Sequence, residues 1–218
     1  MVNAFIRRLQ SIAPLQEADR WIVEDICQNS HHISAKHYIS REGNGMAFFP
    51  VVMEGWAARF QLLRDGGRQI TQLLLPGDAL YFGSIAGGAA VDDVVTLSDC
   101  RIVEIPHADM EHAIDISPAI CQAMRNYGCM ENAILASWAV NLGRRDALER
   151  MAHLICEIHF RLSLNGDLPS NNEFAFPLTQ DDFADLLGLT PVHINRKLQQ
   201  LRHSDLISLG SGPIKALA

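Results

Sequence analysis

The sequence predicts an α+β protein: a small antiparallel barrel or sandwich, one long helix, and a C-terminal pair of short helices closed by a hairpin. Three observations carry this expectation. Between about residues 33 and 105, runs of Val, Phe, Leu and Ile are cut by turn signals every eight to twelve residues or so. From Pro118 to about Leu142 there is no internal proline, and apolar residues recur three to four apart. From Thr179 to Leu206, capping residues, a glycine and two apolar rows fall at the spacing of two crossed helices.

The strand region is punctuated at Glu42-Gly43-Asn44-Gly45, Glu54-Gly55, Asp65-Gly66-Gly67, Pro76-Gly77-Asp78 and Gly87-Gly88. WAARFQLLR and RQITQLLL flank a Gly-Gly turn, which is a hairpin pattern. Segments 3–10 and 14–28, ahead of the strands, have helical periodicity. In the long helix, Ile120, Met124 (or Ala123), Tyr127, Met130, Ile134 and Trp138 (or Ser137) form one apolar stripe. A helix of this length projects beyond a small barrel, so the stripe needs cover. A coiled-coil-like contact with a second copy through those residues is expected, with packing on the chain's own barrel as the alternative. Gly128 would permit close approach or mark a bend. Asn141-Leu142-Gly143 breaks the pattern, and Asp146 can cap another helix running to about Leu162. The expected organisation is therefore 1–116, 117–142 and 143–218. The loop 164–177 is polar and holds at most a short strand pair.

The segment TQDDFADLLGLTPVHINRKLQQLRHSDLI can be read residue by residue. Thr179 is a good N-cap, and Asp181 and Asp182 suit the positive end of the helix that follows. Phe183, Leu186 and Leu187 face inward, and Ala184 is small enough for a second helix to cross closely. Gly188 falls where the turn needs positive φ. Thr190 caps the next helix, with Pro191 at its first position. Ile194, Leu198 and Leu201 face inward, while His193, Arg196, Gln199 and, to one side, Asn195 face out. Such donors and acceptors suit phosphates and base edges in a DNA major groove. Two further strands, Leu206–Leu209 and Ile214–Leu217, flank a Gly210-Ser211-Gly212-Pro213 turn and form a wing. Together these features are a winged helix-turn-helix.

Composition is compatible with that. The chain has 218 residues, 48% hydrophobic and 20% charged, which is ordinary for a globular protein. Nothing approaches the run of about 18 apolar residues that a membrane span needs. MVNAFIRRLQSIAP lacks the basic-then-apolar order of a secretory signal, so a cytoplasmic protein without membrane attachment is expected. The net charge of −7 is uneven: residues 1–139 hold 10 basic and 16 acidic side chains, whereas 186–218 hold four basic ones against Asp205 alone. The C-terminal end alone offers the local positive potential that DNA requires. Five scattered cysteines (Cys27, Cys100, Cys121, Cys129, Cys156) form no CxxC, and reduced, mostly buried thiols are expected. No catalytic constellation is present, so an enzyme is not expected.

With the helix-turn-helix, the Gly-rich turns, LLLPGDALYFGSI, VVTLSDCRIVEIP and NLGRRDALERMAHLI, the whole chain resembles the CRP/FNR family of bacterial regulators. The resemblance implies a cyclic-nucleotide-binding-like β-roll, a long dimerisation helix and a C-terminal winged helix-turn-helix. It also implies a homodimer on double-stranded promoter DNA, with RNA polymerase as a partner. DNA contacts are then expected from Thr190, Val192, His193, Asn195, Arg196 and Gln199. Arg196 matches the family's second-turn arginine, but Pro191 and Val192 replace the arginine and glutamate by which the cyclic-AMP branch reads bases, so the half-site should differ. Val192 could touch a thymine methyl. The wing ends at Ala218, which leaves room for the native chain to continue.

Cofactor expectations follow from the departures. Ala90 and Val91 occupy the positions of the Arg-Ser pair that binds cyclic phosphate, and Asp92 and Asp93 follow, with no cation in the sequence there. Cyclic AMP is therefore not expected. Only Cys27 precedes Cys100, which leaves no N-terminal cysteine cluster for an iron–sulfur centre. Haem needs one or two ligands, and His31, His32 and His37 are candidates, although surface or core histidines are the ordinary reading. Cys121 and Cys129 could pair with a second copy, giving a haem- or redox-responsive regulator as the alternative. A cupin-like metal site from His31, His32, His37 and Glu42 is a remote one, since the HxH spacing is missing. Otherwise no cofactor is expected.

Overall fold

The computed structural model describes residues 3–80, 89–168, 174–204, 207–208 and 215–216. The Gly87-Gly88 turn, the YFGSI stretch, Asp205, Leu206 and the turn at 210–213 lie outside the described residues. Along the chain come α1 (Ala4–Gln10), α2 (Glu17–Ile26), β1 (Ser30–Ile33), β2 (Tyr38–Ser40), β3 (Phe48–Glu54), β4 (Ala57–Leu62), β5 (Arg68–Leu74), β6 (Asp93–Thr96) and β7 (Cys100–Pro106). After these come α3 (His107–Ile116), α4 (Pro118–Arg144), α5 (Ala147–Leu164), β8 (Phe174–Ala175), α6 (Gln180–Leu187), α7 (Pro191–His203), β9 (Ile207–Ser208) and β10 (Lys215–Ala216). By packing the chain divides into Met1–Gln61 with Gln72–Ala133, and Leu62–Thr71 with Ile134–Ala218.

The first unit is built on the period-two alternation of strands. Two antiparallel sheets, ordered β1-β7-β3 and β2-β6-β4-β5, form the roll. Strand β3 pairs with β7 at Val51↔Val103 and Val52↔Ile102, and both are buried on two faces. Phe49, Val51, Met53, Val103 and Ile105 join a core shared with α1, α3 and α4. Val52 and Ile102 point the other way, to a second cluster with Leu74, Leu80, Val94 and Cys100. Burial on both faces is why apolar residues stand side by side at Val51-Val52 and Ile102-Val103 instead of alternating with polar ones. Between β3 and β4, Gly55 has φ +81°, and a Cβ there would stand 2.1 Å from the Asp99 carbonyl oxygen. The Gly-Gly hairpin expected between WAARFQLLR and RQITQLLL is present, closed by Leu63 N–H donating to Gly67 O at 2.8 Å.

Helix α4 revises one expectation. Ile120, Met124 and Tyr127, expected at the contact with a second copy, are buried in the chain's own roll core, and Met130 packs against it. Tyr127 Oη accepts from Ala79 N–H at 2.9 Å and donates to Ala79 O at 3.2 Å. Beside it Asp78 forms an ion pair with Arg8 of α1 at 3.0 Å, both fully buried. The inward stripe matches the packing alternative: these residues share one core with Phe49, Val51 and Met53 of β3 and with residues of α1, α2 and α3. Outward, Cys121, Arg125, Gly128, Asn132, Leu135, Ala139 and Leu142 alternate four and three apart and are half-buried or exposed. A Cβ at Gly128 would meet nothing within 4 Å. Nor does the helix stop at Asn141: it runs through Gly143 to Arg144, with the Asn141 side chain buried and bonded to Arg150 O and Arg145.

In the second unit Asp146 caps α5 as expected, with Glu149 completing the capping box. Trp138 is also buried within the chain, its ring edge-on to His153 with centroids 6.5 Å apart. Ile134 is half-buried. The His153 imidazole lies 3.2 Å from Ser137 Oγ, and burial followed by the nearby Arg145 charge lowers its pKa. Phe174, Phe176 and Phe183 stack in sequence, with ring centroids 4.8 and 5.7 Å apart. Strands β9 and β10 pair antiparallel at Ser208↔Lys215, as the wing requires. β8 from the polar loop adds a third strand, giving the order β8-β10-β9.

Candidate nucleic-acid interface

Local sequence sets the geometry of α6 and α7. Thr179 Oγ1 accepts from Asp182 N–H, and the Asp182 carboxylate accepts from Thr179 N–H at 2.9 Å, forming a reciprocal cap. Phe183, Ala184, Leu186 and Leu187 are buried. Gly188 stands at φ +62°, ψ 42°, and its N–H bonds Ala184 O to end the helix. Thr190 then accepts from His193 N–H, and Pro191 opens α7. A further brace comes from α5. Arg150 donates to Arg145 O and to Leu187 O, each at 3.0 Å, so one guanidinium ties the start of α5 to the end of α6.

On α7, Ile194, Leu198 and Leu201 are buried. At 100° per residue their mean direction points opposite Arg196, with Val192, Gln199 and Gln200 beside it and His193 and Asn195 on the flanks. Thr190, Val192, His193, Asn195, Arg196 and Gln200 are exposed, Val192 by 79%, and Gln199 is half-buried. All six candidate residues therefore share one accessible side. Gln200 belongs there too, accepting from Lys197 Nζ at 3.3 Å. Its spacing of four from Arg196 was the signal that would have found it. Helix α7 carries no carboxylate, so its outer face presents only neutral and basic groups.

A second residue invisible to local reading is Arg68. Its Nη2 donates to Asp182 at 2.7 Å and its Nε to Asp185 at 2.7 Å, across sequence separations of 114 and 117. Gln69 reaches Leu186 O at 3.4 Å. The hairpin tip thus grips the outer face of α6, within the second unit.

In the roll, Ala90 is buried and Val91 exposed. Asp92 is buried and accepts from Gln61 Nε2 at 2.8 Å. A cation does reach this point, contrary to expectation: Arg59 Nε lies 3.8 Å from Asp92. It comes from β4, more than thirty residues away in sequence, which is why the local segment did not show it. Asp93 accepts from Glu42 N–H. His31 and His32 are adjacent in β1 and point to opposite faces, and His37 Nδ1 contacts Ala35 O. Among the described residues, no three His, Cys, Asp or Glu side chains group as metal donors. The thiols are less buried than expected: Cys27 and Cys100 are buried, Cys121 half-buried, Cys129 and Cys156 exposed. Burial, with the Glu24 charge, pushes Cys27 up to about 12, and burial pushes Cys100 up to about 11. No helix among the described residues is long and apolar enough to cross a membrane.

A roll of two antiparallel sheets, a long helix and a three-stranded winged helix-turn-helix define a transcription-regulator class of protein. Comparison with known sequences agrees: residues 30–117 match the cyclic nucleotide-binding domain and residues 149–217 the Crp-like helix-turn-helix domain. The transcriptional activator protein FnrL of Cereibacter sphaeroides is 30% identical over 169 residues, covering 77% of this chain and 67% of the relative. The nitrogen fixation regulation protein FixK of Bradyrhizobium diazoefficiens is 27% identical over 216 residues, covering 97% and 87%. The structure of FixK2 from Bradyrhizobium japonicum superposes with a TM-score of 0.75 at 24% identity, over 87% of this chain and 91% of that one. The chain belongs to the CRP/FNR family of transcriptional regulators.

Proposed function

We propose that the protein is a homodimeric, sequence-specific DNA-binding regulator that acts in the cytoplasm on double-stranded promoter DNA without cyclic AMP. Its domains are a sensor-like roll over 1–116, a dimerisation helix over 117–142 and a DNA-binding domain over 143–218. The observation that carries this is the single exposed face of α7, centred on Arg196 and free of carboxylates. Such a helix enters the major groove with its first turns at base edges. Arg196 is suited to guanine O6/N7, His193, Asn195, Gln199 and Thr190 to bases and phosphates, and Val192 to a thymine methyl.

Dimerisation is assigned to the outward row of α4 from Cys121 to Leu142, whose alternating spacing matches a coiled-coil seam. Gly128 and Ala139 let a second helix approach closely. Independence from cyclic AMP rests on Asp92 and Asp93: a phosphate beside them would meet carboxylates, and Arg59 is already held by one of them. Control then falls to another effector or to the protein's abundance, with RNA polymerase as the partner at the promoter. The test uses the duplex that the protein itself enriches from random-sequence DNA. Arg196→Ala should lose about 1–3 kcal/mol of affinity for it. Unchanged affinity would overturn the assignment.

A further inference from the structure

The first helix of a helix-turn-helix crosses the DNA backbone while the second enters the groove. Here that first helix, α6, is acidic on its accessible side. Asp181 and Asp182 lie in its first turn, and Asp185 one turn further on. The capping box needs the Asp182 carboxylate, and the helix dipole favours both first-turn acids. Phosphates do not. Carboxylates within a Debye length, about 10 Å at 0.1 M salt, repel a DNA backbone. Folding and binding therefore ask opposite things of the same side chains.

Arg68 resolves the conflict. Asp182 and Asp185 are three residues apart on one face of α6, and the planar guanidinium meets both at 2.7 Å. A lysine, as a point charge, could not span the two in this way. The contact also leaves the exposed side of α7 uncovered, since Val192, His193, Asn195 and Arg196 remain open. It is thus compatible with DNA binding rather than a block on it. We propose that Arg68, on the β4–β5 hairpin, is a positioning residue for DNA binding. It screens the acidic face of α6 from phosphate and holds α6 in the pose that presents α7. This rests on the DNA-binding function proposed above.

The test measures fluorescence anisotropy of the self-selected duplex with wild type, Arg68→Ala, Arg68→Ala/Asp185→Asn and Arg196→Ala, at about 0.1 M and at threefold higher salt. Asp182 is left intact because it caps α6, and circular dichroism checks that each variant is folded. Losing two partly exposed charge contacts should weaken binding about three- to tenfold for Arg68→Ala at the lower salt. The gap should narrow at the higher salt, and Asp185→Asn should restore most of the loss. Arg68→Ala binding like wild type at both salts, while Arg196→Ala weakens it, overturns the role of Arg68 alone. A double variant as weak as Arg68→Ala also overturns it, because that loss would be structural rather than electrostatic. If Arg196→Ala leaves binding unchanged, the DNA-binding function itself falls, and this inference with it.

Discussion

Helices α4 and α7 carry the same signature, apolar residues at intervals of three and four, yet the signature means something different to a partner in each. On α7, Ile194, Leu198 and Leu201 were read as inward, and the functional face was sought opposite them. On α4, Ile120, Met124, Tyr127 and their neighbours were read as the interface itself. The structure treats both helices alike: the most apolar row is covered by the chain's own core, and the accessible side mixes small, polar and charged residues with a few apolar ones, Leu135 and Val140 on α4 and Val192 on α7. A stripe reports that a face is buried, not what buries it. On a helix that partly overlies its own domain, the partner's face is found by subtracting the core.

The inward row of α4 is the more sensitive of its two faces to substitution. Ile120→Ala should cost about 2–5 kcal/mol of unfolding free energy in urea titrations, as for other fully buried aliphatic residues. A loss below about 0.5 kcal/mol would return Ile120 to the accessible surface. On the outward row, Leu135→Glu should leave the fold intact and shift sedimentation from dimer to monomer, since it places like charges across a two-fold seam. A persistent dimer would move the interface off this face.

The smallest expected effect probes the inward row near its C-terminal end, where His153 packs against Trp138 and Ser137. Its folded pKa lies below the ordinary 6.5 because burial, aided by Arg145, opposes the charged form. The unfolded chain therefore takes up the proton first. Stability from this site is complete above about pH 6.5 and falls as the pH drops below it. Thermal melts of His153→Gln should be flatter with pH over that window. An unchanged slope would show that His153 is solvated in both states.

The fold was largely legible because each module announces itself locally. Thr179, Gly188, Thr190 and Pro191 specify the helix-turn-helix through caps and one positive φ, which depend on neighbours within a few residues. The β4–β5 hairpin was equally local. What escaped was set by distant partners. Arg68 meets residues more than a hundred positions away, and Arg59 reaches Asp92 only once β4 and the end of the roll come together. A short strand was allowed for in the 164–177 loop, but its partner was not foreseen, because Phe174 and Ala175 pair with β10 about forty residues on. The exposed thiols were missed because scattered cysteines carry no periodicity from which to infer their side.

The brace made by Arg150 has a consequence for how this protein can change over generations. Both of its acceptors, Arg145 O and Leu187 O, are main-chain carbonyls. Mutation at positions 145 or 187 leaves an acceptor in place whatever the new side chain. The acceptors thus tolerate any change that keeps the backbone in place, at 187 an apolar one since Leu187 is buried, while the donor has no such freedom, because a lysine offers one ammonium where two separated N–H groups are needed. Selection on this joint is one-sided, and it falls on a residue of α5, outside the α6–α7 pair whose seat it helps to fix.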